Sequence, residues 1–236
     1  MRLLAGTSGY AYKEWKGNFY PEDAKPQDML RLYAERLPTV EINNTFYRMP
    51  SEKMLLDWLK QVPDGFSFVL KVSRRITHQK RLKDAGDEMA YLLQTSAVLG
   101  ERLGPMLFQL PPFLQKDAGR LDAFLDLLPR GFRAAFEFRH ASWFDDEVYG
   151  VLRSHGAALA VADSDDDAEP REIVATAGYG YLRLRRESYD DARLADWAGR
   201  VAGQPWDRAH VFFKHEGEGV GPALAARFAE LAAARS

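Results

Sequence analysis

The sequence predicts an α/β chain built as a single-domain TIM-type (β/α)8 barrel over residues 1–236, with room for irregular units. Three observations carry that expectation. About eight short apolar, β-branched or aromatic stretches recur along the chain; segments with helical spacing of apolar residues separate most of them; and no linker rich in Pro, Gly or Ser divides the whole. Near-continuous apolar strands alternating with helices imply a parallel sheet covered by helices. The number eight favours a closed ring over a doubly wound open sheet, which is the second reading.

The strand stretches, in order, are residues 2–6, 39–43, 66–71, 105–110, 133–138, 157–162, 181–184 and 210–213. Helical spacing appears at Met29, Leu30, Tyr33 and Leu37, at Met54, Leu55, Trp58 and Leu59, at Met89, Leu92 and Leu93, and at Leu121, Phe124, Leu125 and Leu128. Val148, Leu152, Leu194, Trp197, Val201, Leu224, Phe228 and Leu231 continue the pattern. Ser51, just after Pro50, suits an N-cap, while Gly100, Gly104, Gly131 and Gly156 punctuate helix ends. Asp163, Asp165, Asp166, Asp167 and Glu169 cluster in what reads as a solvated loop after the sixth strand.

Composition excludes several classes of function. Of the 236 residues 46% are hydrophobic and none is cysteine, which removes disulfides, thiolate metal sites and cysteine nucleophiles. A formal net charge of -2 gives no global pull toward nucleic acid or anionic membrane. No apolar run approaches the roughly 18 residues of a membrane span, and the apolar part of MRLLAGTSGY is too short for a secretory signal. The expectation is a cytoplasmic protein with no membrane partner; oligomeric state stays open.

Strand side chains alternate between faces, so parity locates the polar ones. Glu41 and Asn43 share one face of their strand, Lys71 follows Ser67 and Val69, and Gln109 lies between Phe108 and Leu110. Glu137 and Arg139 alternate with Phe136 and Phe138; Arg183 is in phase with Tyr181; Lys214 ends the last strand. Asp163, in phase with Leu159 and Val161, is assigned to the same inward set. All fall near the carboxyl ends of their strands, where barrel enzymes assemble their sites. The alternative is an internal ion-pair network that merely fills the barrel with compensated charge.

The connections above that end add chemistry. After the first strand a long loop carries Tyr10, Tyr12, Trp15, Phe19 and Tyr20, suited to a lid or a binding wall. After the third, Arg74, Arg75, His78, Lys80, Arg81 and Lys83 form the one basic concentration, read either as a solvated loop or as a rim for an anionic ligand. Gly217, Gly219 and Gly221 lead into the last helix, where free amides could hold a phosphate, although Glu216 and Glu218 would repel it. Glu41, Glu137, Asp163, His78, His140 and His215 could supply a divalent metal site, but no HExxH or comparable spacing occurs and nearby cations compete for the carboxylates. No metal ligands are assigned and no cofactor is required.

The segments GTSGYAYKEWKGNFYP, VEINNTFY, FVLK followed by ITH, FQLPP and EFRHASW together resemble the domain-of-unknown-function 72, or YecE-like, family. The resemblance covers most of the chain in order. It implies a TIM-type barrel and places Ser8, Tyr10, Trp15, Glu41, Asn43, Tyr47, Lys71, His78, Gln109, Glu137, Arg139, His140 and Trp143 in signature positions. It supplies no reaction. Where many members have Arg-x-His-Gly and an Asn-rich eighth strand, this chain has Arg183-Leu184-Arg185-Arg186 and Phe213-Lys214-His215. That departure is consistent with a subfamily taking a different ligand.

The expected function is acid/base chemistry on an anionic, phosphate-bearing small molecule or nucleic-acid fragment, a hydrolase or lyase reaction being favoured. Catalytic roles fall to Glu41 or Glu137 as acid or base, Lys71 and Arg139 as charge stabilisers with Arg183, and His78 as proton shuttle with Tyr47. Substrate contacts fall to Ser8, Tyr10, Trp15, Asn43, Tyr47, Gln109, His140, Trp143, Asp163, Arg183 and Lys214. Non-catalytic capture of a phosphorylated ligand or nucleic acid, by the same cations, is the competing expectation.

Overall fold

Among the described residues nine strand segments arise from the eight predicted stretches, because the sixth is interrupted at Ala160. They are β1 (Arg2–Ser8), β2 (Thr39–Ile42), β3 (Ser67–Leu70), β4 (Met106–Gln109), β5 (Ala134–Glu137), β6 (Ala158–Leu159), β7 (Val161–Asp163), β8 (Tyr179–Leu184) and β9 (Arg208–Phe213). The helices are α1 (Met29–Ala34), α2 (Asn44–Tyr47), α3 (Glu52–Leu59), α4 (Gly86–Ser96), α5 (Ala118–Leu125), α6 (Asp146–Ser154), α7 (Asp191–Ala202) and α8 (Val220–Ala233). This computed structural model describes residues 1–165, 172–215 and 217–234. The expected acidic loop at Asp166, Asp167 and Glu169, and Glu216, lie outside the described residues.

Among the described residues every strand pairing is parallel, as the βα rhythm requires. The ladders form two sheets, one of six strands in the order β3-β2-β1-β9-β8-β7 and one of three in the order β4-β5-β6. β3 and β4 meet through isolated parallel bridges, Phe68 with Leu103 and Lys71 with Leu107. On the other side β6 and β7 are consecutive, and Ala160 between them donates its amide to Phe136 O at 2.9 Å. The result is an α/β single-domain fold of parallel sheets.

Local chemistry sets the helix starts. Ser51 caps α3 through Met54 N, and three aspartates repeat the device: Asp117 caps α5, Asp145 caps α6 and Asp190 caps α7. Each side chain satisfies one of the amides that a helix leaves without an internal partner, a contribution of about 1 kcal/mol. Gly100, Gly131 and Gly156 adopt positive φ where helical segments end, whereas Gly104 serves β4 by donating its amide to Phe68 O. Close approach fixes glycine at two strand positions. A Cβ on Gly6 would lie 2.1 Å from Thr39 O, and one on Gly180 would lie 2.2 Å from the Trp206 ring.

Parity works as the hydrophobic pattern implies. The outer faces of the strands and the inner faces of the helices share one core that includes Val40, Ile42, Phe68, Phe108, Phe136, Leu182, Val211 and Phe213. A second, smaller cluster of Val69, Leu107, Ala135, Ala158, Ala160, Tyr179, Tyr181 and Phe212 packs on the opposite face of the strands. Small residues on β5 to β7 leave room in that layer for the tyrosines of β8. Polar side chains stack above it, toward the carboxyl ends.

Candidate functional site

Glu41, Glu137 and Arg183 reach the same point from β2, β5 and β8. Arg183, 2% exposed, donates Nε to Glu41 Oε2 and Nη2 to Glu41 Oε1, both at 2.9 Å, and Nη1 to Glu137 Oε2 at 2.7 Å. Tyr181 donates its hydroxyl to Glu41 Oε2 at 2.6 Å. Gln109 Nε2 donates to Glu137 Oε1 at 2.7 Å, and Arg139 Nε reaches the same oxygen at 3.3 Å. Ser8 is buried beside Glu41 in the β1–β2 register. Both carboxylates are fully enclosed, so their charge survives only because it is paired.

Electrostatics follow from that geometry. Burial alone would raise the Glu137 carboxyl, but Arg183, Arg185 and Arg139 outweigh it and hold it down to about 2. Glu41 feels the same opposition of burial against Arg183 and also ends below the usual carboxylate range. Arg183 is raised: its burial is overcome by the two glutamates. Lys71 moves the other way. Burial first and Arg183 second press its ammonium down to about 8, against the pull of Glu41 and Glu137.

Above this layer opens a cavity of about 220 Å³ lined by Tyr12, Asn43, Tyr47, Lys71, Gln109, Arg139, Arg183, Arg185 and Lys214. Five of the nine lining side chains are cationic and none is an acid. The two glutamates lie beneath the lining, both held by Arg183. Lys71 Nζ sits 4.4 Å from the centre of the Phe46 ring, and the buried Nε of Arg185 has no hydrogen-bond partner among the described residues.

Several expected site residues are elsewhere. Asp163 belongs to the outer face, because Ala158 and Ala160 take the inward parity and leave Leu159, Val161 and Asp163 facing the helices. There it accepts from Arg186 Nε at 2.6 Å, Tyr189 OH at 2.9 Å and Trp197 Nε1 at 3.1 Å. Trp15 is completely buried among Tyr12, Phe19 and Tyr20, with Tyr10 packed against the same core. Trp143 is also buried, stacked on Phe138 at 4.6 Å with its indole N–H donated to Leu114 O, so it anchors its loop and does not wall the cavity.

His140 is a cap: its Nδ1 accepts from Ser142 N at the turn Ala141–Trp143. His78 packs edge-on against Phe46 at the rim, its imidazolium disfavoured by burial and by Lys71 and Arg139. The basic stretch around it is partly spent, since Arg75 and Lys80 both pair with Glu88. Gly217, Gly219 and Gly221 are not in the cavity lining. Among the described residues no group of three or more His, Asp or Glu side chains is placed to hold a metal ion, and no helix is long and apolar enough to cross a membrane.

Arg185 and Tyr12 are the members that the expected site lacked. Arg185 extends the inward phase of Tyr181 and Arg183 two residues further, past the end of β8, and counting by twos beyond the strand finds it. Tyr12 reaches the cavity from the first loop, its hydroxyl donated to Ser8 O at 2.8 Å. No spacing in the sequence separates it from its aromatic neighbours.

Fold and site together define an α/β protein of parallel strands whose carboxyl ends carry a cation-lined pocket over a buried Glu–Arg–Glu cluster. The chain belongs to the family described as protein of unknown function DUF72, whose model matches residues 4–236. It is similar to the UPF0759 protein YecE of Escherichia coli, 34% identical over 141 residues, which is 57% of this chain and 52% of that protein. It is also similar to the UPF0759 protein YunF of Bacillus subtilis, 28% identical over 64% of this chain and 58% of that one. The matched part thus spans about half the length of these curated relatives. A DUF72 family protein of Thermotoga maritima superposes with a TM-score of 0.83 at 27% identity, covering 98% of this chain and 99% of its own. One from Enterococcus faecalis, 18% identical, superposes at 0.80 over 98% and 95% and shares the fold.

Proposed function

We propose that this protein is an enzyme acting on a small anionic, phosphate-bearing molecule bound in the cavity at the carboxyl ends of the strands. The observation that carries the reading is the lining: Lys71, Arg139, Arg183, Arg185 and Lys214 converge over only two carboxylates, Glu41 and Glu137, which Arg183 engages, so the cations outnumber the acids. Such an excess of fixed positive charge is costly without an anion to meet it. The two sheets then act as one closed (β/α)8 barrel. Support for closure comes from the bridges between β3 and β4, reinforced by Gly104 N to Phe68 O at 2.7 Å and Val72 N to Leu107 O at 2.9 Å, and from the continuity of β6 with β7.

Size narrows the ligand. A space of about 220 Å³ equals about seven waters and is below the roughly 300 Å³ at which drug-sized pockets begin. A phosphorylated compound of a few carbons fits this better than a nucleotide or a nucleic-acid strand. Roles also shift. Glu41 and Glu137, both pulled below the usual carboxylate range by Arg183, are poor general acids or bases near neutrality and act as the frame that aims Arg183. Lys71, at about 8, is the group matched to proton transfer, in a hydrolase or lyase reaction. The competing reading is a binder without chemistry.

A thermal-shift screen of three- to six-carbon phosphorylated compounds against their unphosphorylated counterparts tests the proposal. Phosphorylated members should raise Tm, Arg139→Met should abolish the shift, and incubation should yield product that Lys71→Met fails to form. Equal stabilisation by neutral members, or by none, would overturn the anion site. Binding with no product from any stabilising compound would favour the binder.

A further inference from the structure

Lys71 differs from an ordinary surface lysine in four respects. Its backbone is fixed from both sides, the amide donating to Ile42 O at 3.1 Å and the carbonyl accepting from Thr45 Oγ1 at 2.7 Å. Its Nζ rests over the Phe46 ring and makes no hydrogen bond or ion pair among the described residues. It opens on the cavity beside Arg139, Arg185 and Lys214. The acids facing it, Glu41 from β2 and Glu137 from β5, are taken up by Arg183 from β8. With His78 packed edge-on against the same Phe46 ring, the amine is set among cations, an aromatic face and committed carboxylates.

Resting on the anion-site reading, we propose that Lys71 is a carbonyl-trapping nucleophile, forming an imine with a small aldehyde or ketone whose phosphate is held by Arg139, Arg185 and Lys214. A lysine placed next to another cationic group and away from solvent is the environment that makes an amine nucleophilic. With the ammonium lowered to about 8, about a tenth is free amine at neutral pH, about three hundred times the share of an unperturbed lysine.

The step balances within the site. The amine lone pair forms the C–N bond while the carbonyl π pair moves onto oxygen, and a proton passes from nitrogen to that oxygen. A second proton, taken from solvent, lets the hydroxyl leave as water, and the C=N bond forms with one hydrogen retained on nitrogen. The product is an iminium, an electron sink for breaking a neighbouring C–C or C–H bond. No oxidant or reductant is consumed.

The test treats the whole protein with glyceraldehyde 3-phosphate or with unphosphorylated glyceraldehyde, each with sodium cyanoborohydride, and quantifies the reduced adduct at every lysine by peptide mass spectrometry. Lys71 should be modified at least about ten times faster by the phosphorylated aldehyde than by the neutral one, and faster than Lys214 in the same cavity. Arg185→Met, or excess inorganic phosphate, should each remove that preference. Lys71→Arg should form no adduct at this position while still binding inorganic phosphate by calorimetry. Labelling that merely follows exposure, with Lys71 no faster than surface lysines, overturns the inference. If phosphate still binds in that case, the anion site stands and only the imine falls; if phosphate does not bind, both fall.

Discussion

Arg183 meets Glu41 through two hydrogen bonds of 2.9 Å, Nε to Oε2 and Nη2 to Oε1, with 2% and 0% of the two residues exposed. The same guanidinium turns its remaining edge to Glu137 at 2.7 Å. One cation therefore pairs with two buried carboxylates contributed by strands far apart in sequence. Arg183→Met should destabilise the fold by about 3–5 kcal/mol, because it strands both charges out of water. Adding Glu41→Gln and Glu137→Gln should recover much of that loss. Chemical denaturation of the single and triple variants checks this, and a single variant as stable as the parent would contradict it.

Lys71→Met should raise stability at neutral pH. The folded-state ammonium, lowered to about 8 by burial and Arg183, binds its proton less tightly than in the unfolded chain, so keeping it charged costs free energy below pH 8. That cost is relieved as pH rises from about 8 toward the unfolded value. A gain of about 1–3 kcal/mol at pH 7, shrinking at pH 10, is expected from denaturation curves at the two pH values.

His210, wholly buried in the strand interior, predicts an acid-sensitive term. Burial first, then Arg133, Arg208 and Arg2, lower its pKa to about 3, and its Nδ1 has no hydrogen-bond partner among the described residues. The folded form stays neutral while the unfolded chain takes up a proton below about pH 6.5, so stability falls by about 1.4 kcal/mol per pH unit on acidification from there toward pH 3. His78 and His215 are lowered too, so the readout is a difference. His210→Leu should flatten the slope between pH 6.5 and 5 relative to the parent.

Asp163 separates a structural cluster from the functional cavity. Asp163→Asn weakens acceptance from Arg186, Tyr189 and Trp197 and should cost about 1–3 kcal/mol. Phosphate affinity should stay within about twofold of the parent's, since the residue faces the helix layer. A tenfold loss of affinity without loss of stability would return Asp163 to the site.

The alternation of apolar stretches with helical spacing made the strand positions legible, and the alternation of faces within each strand made most of the cluster legible. Glu41, Lys71, Gln109, Glu137 and Arg183 came from parity alone, because each is a polar residue within or next to a run whose other parity is large and apolar. Asp163 misled for a physical reason. Alanines filled the interior at Ala158 and Ala160, so on this strand the bulky Leu159 and Val161 marked the outside, and the charge in phase with them went outward too. Trp15 and Trp143 were drawn into the core by their apolar area, which no local pattern distinguishes from a ring kept free for stacking. Arg185 reads as part of the loop following Arg183 and so falls outside the expected site, because the strand ends one residue earlier, although the side-chain phase continues.

Titration of inorganic phosphate into the parent protein and into Arg139→Met/Arg185→Met, followed by calorimetry at low and moderate salt, tests the central claim most directly. Saturable one-site binding in the parent is expected, weakened at least about tenfold in the variant and reduced by added salt. No saturable binding in the parent, or equal binding in the variant, would contradict the claim that these cations form an anion site.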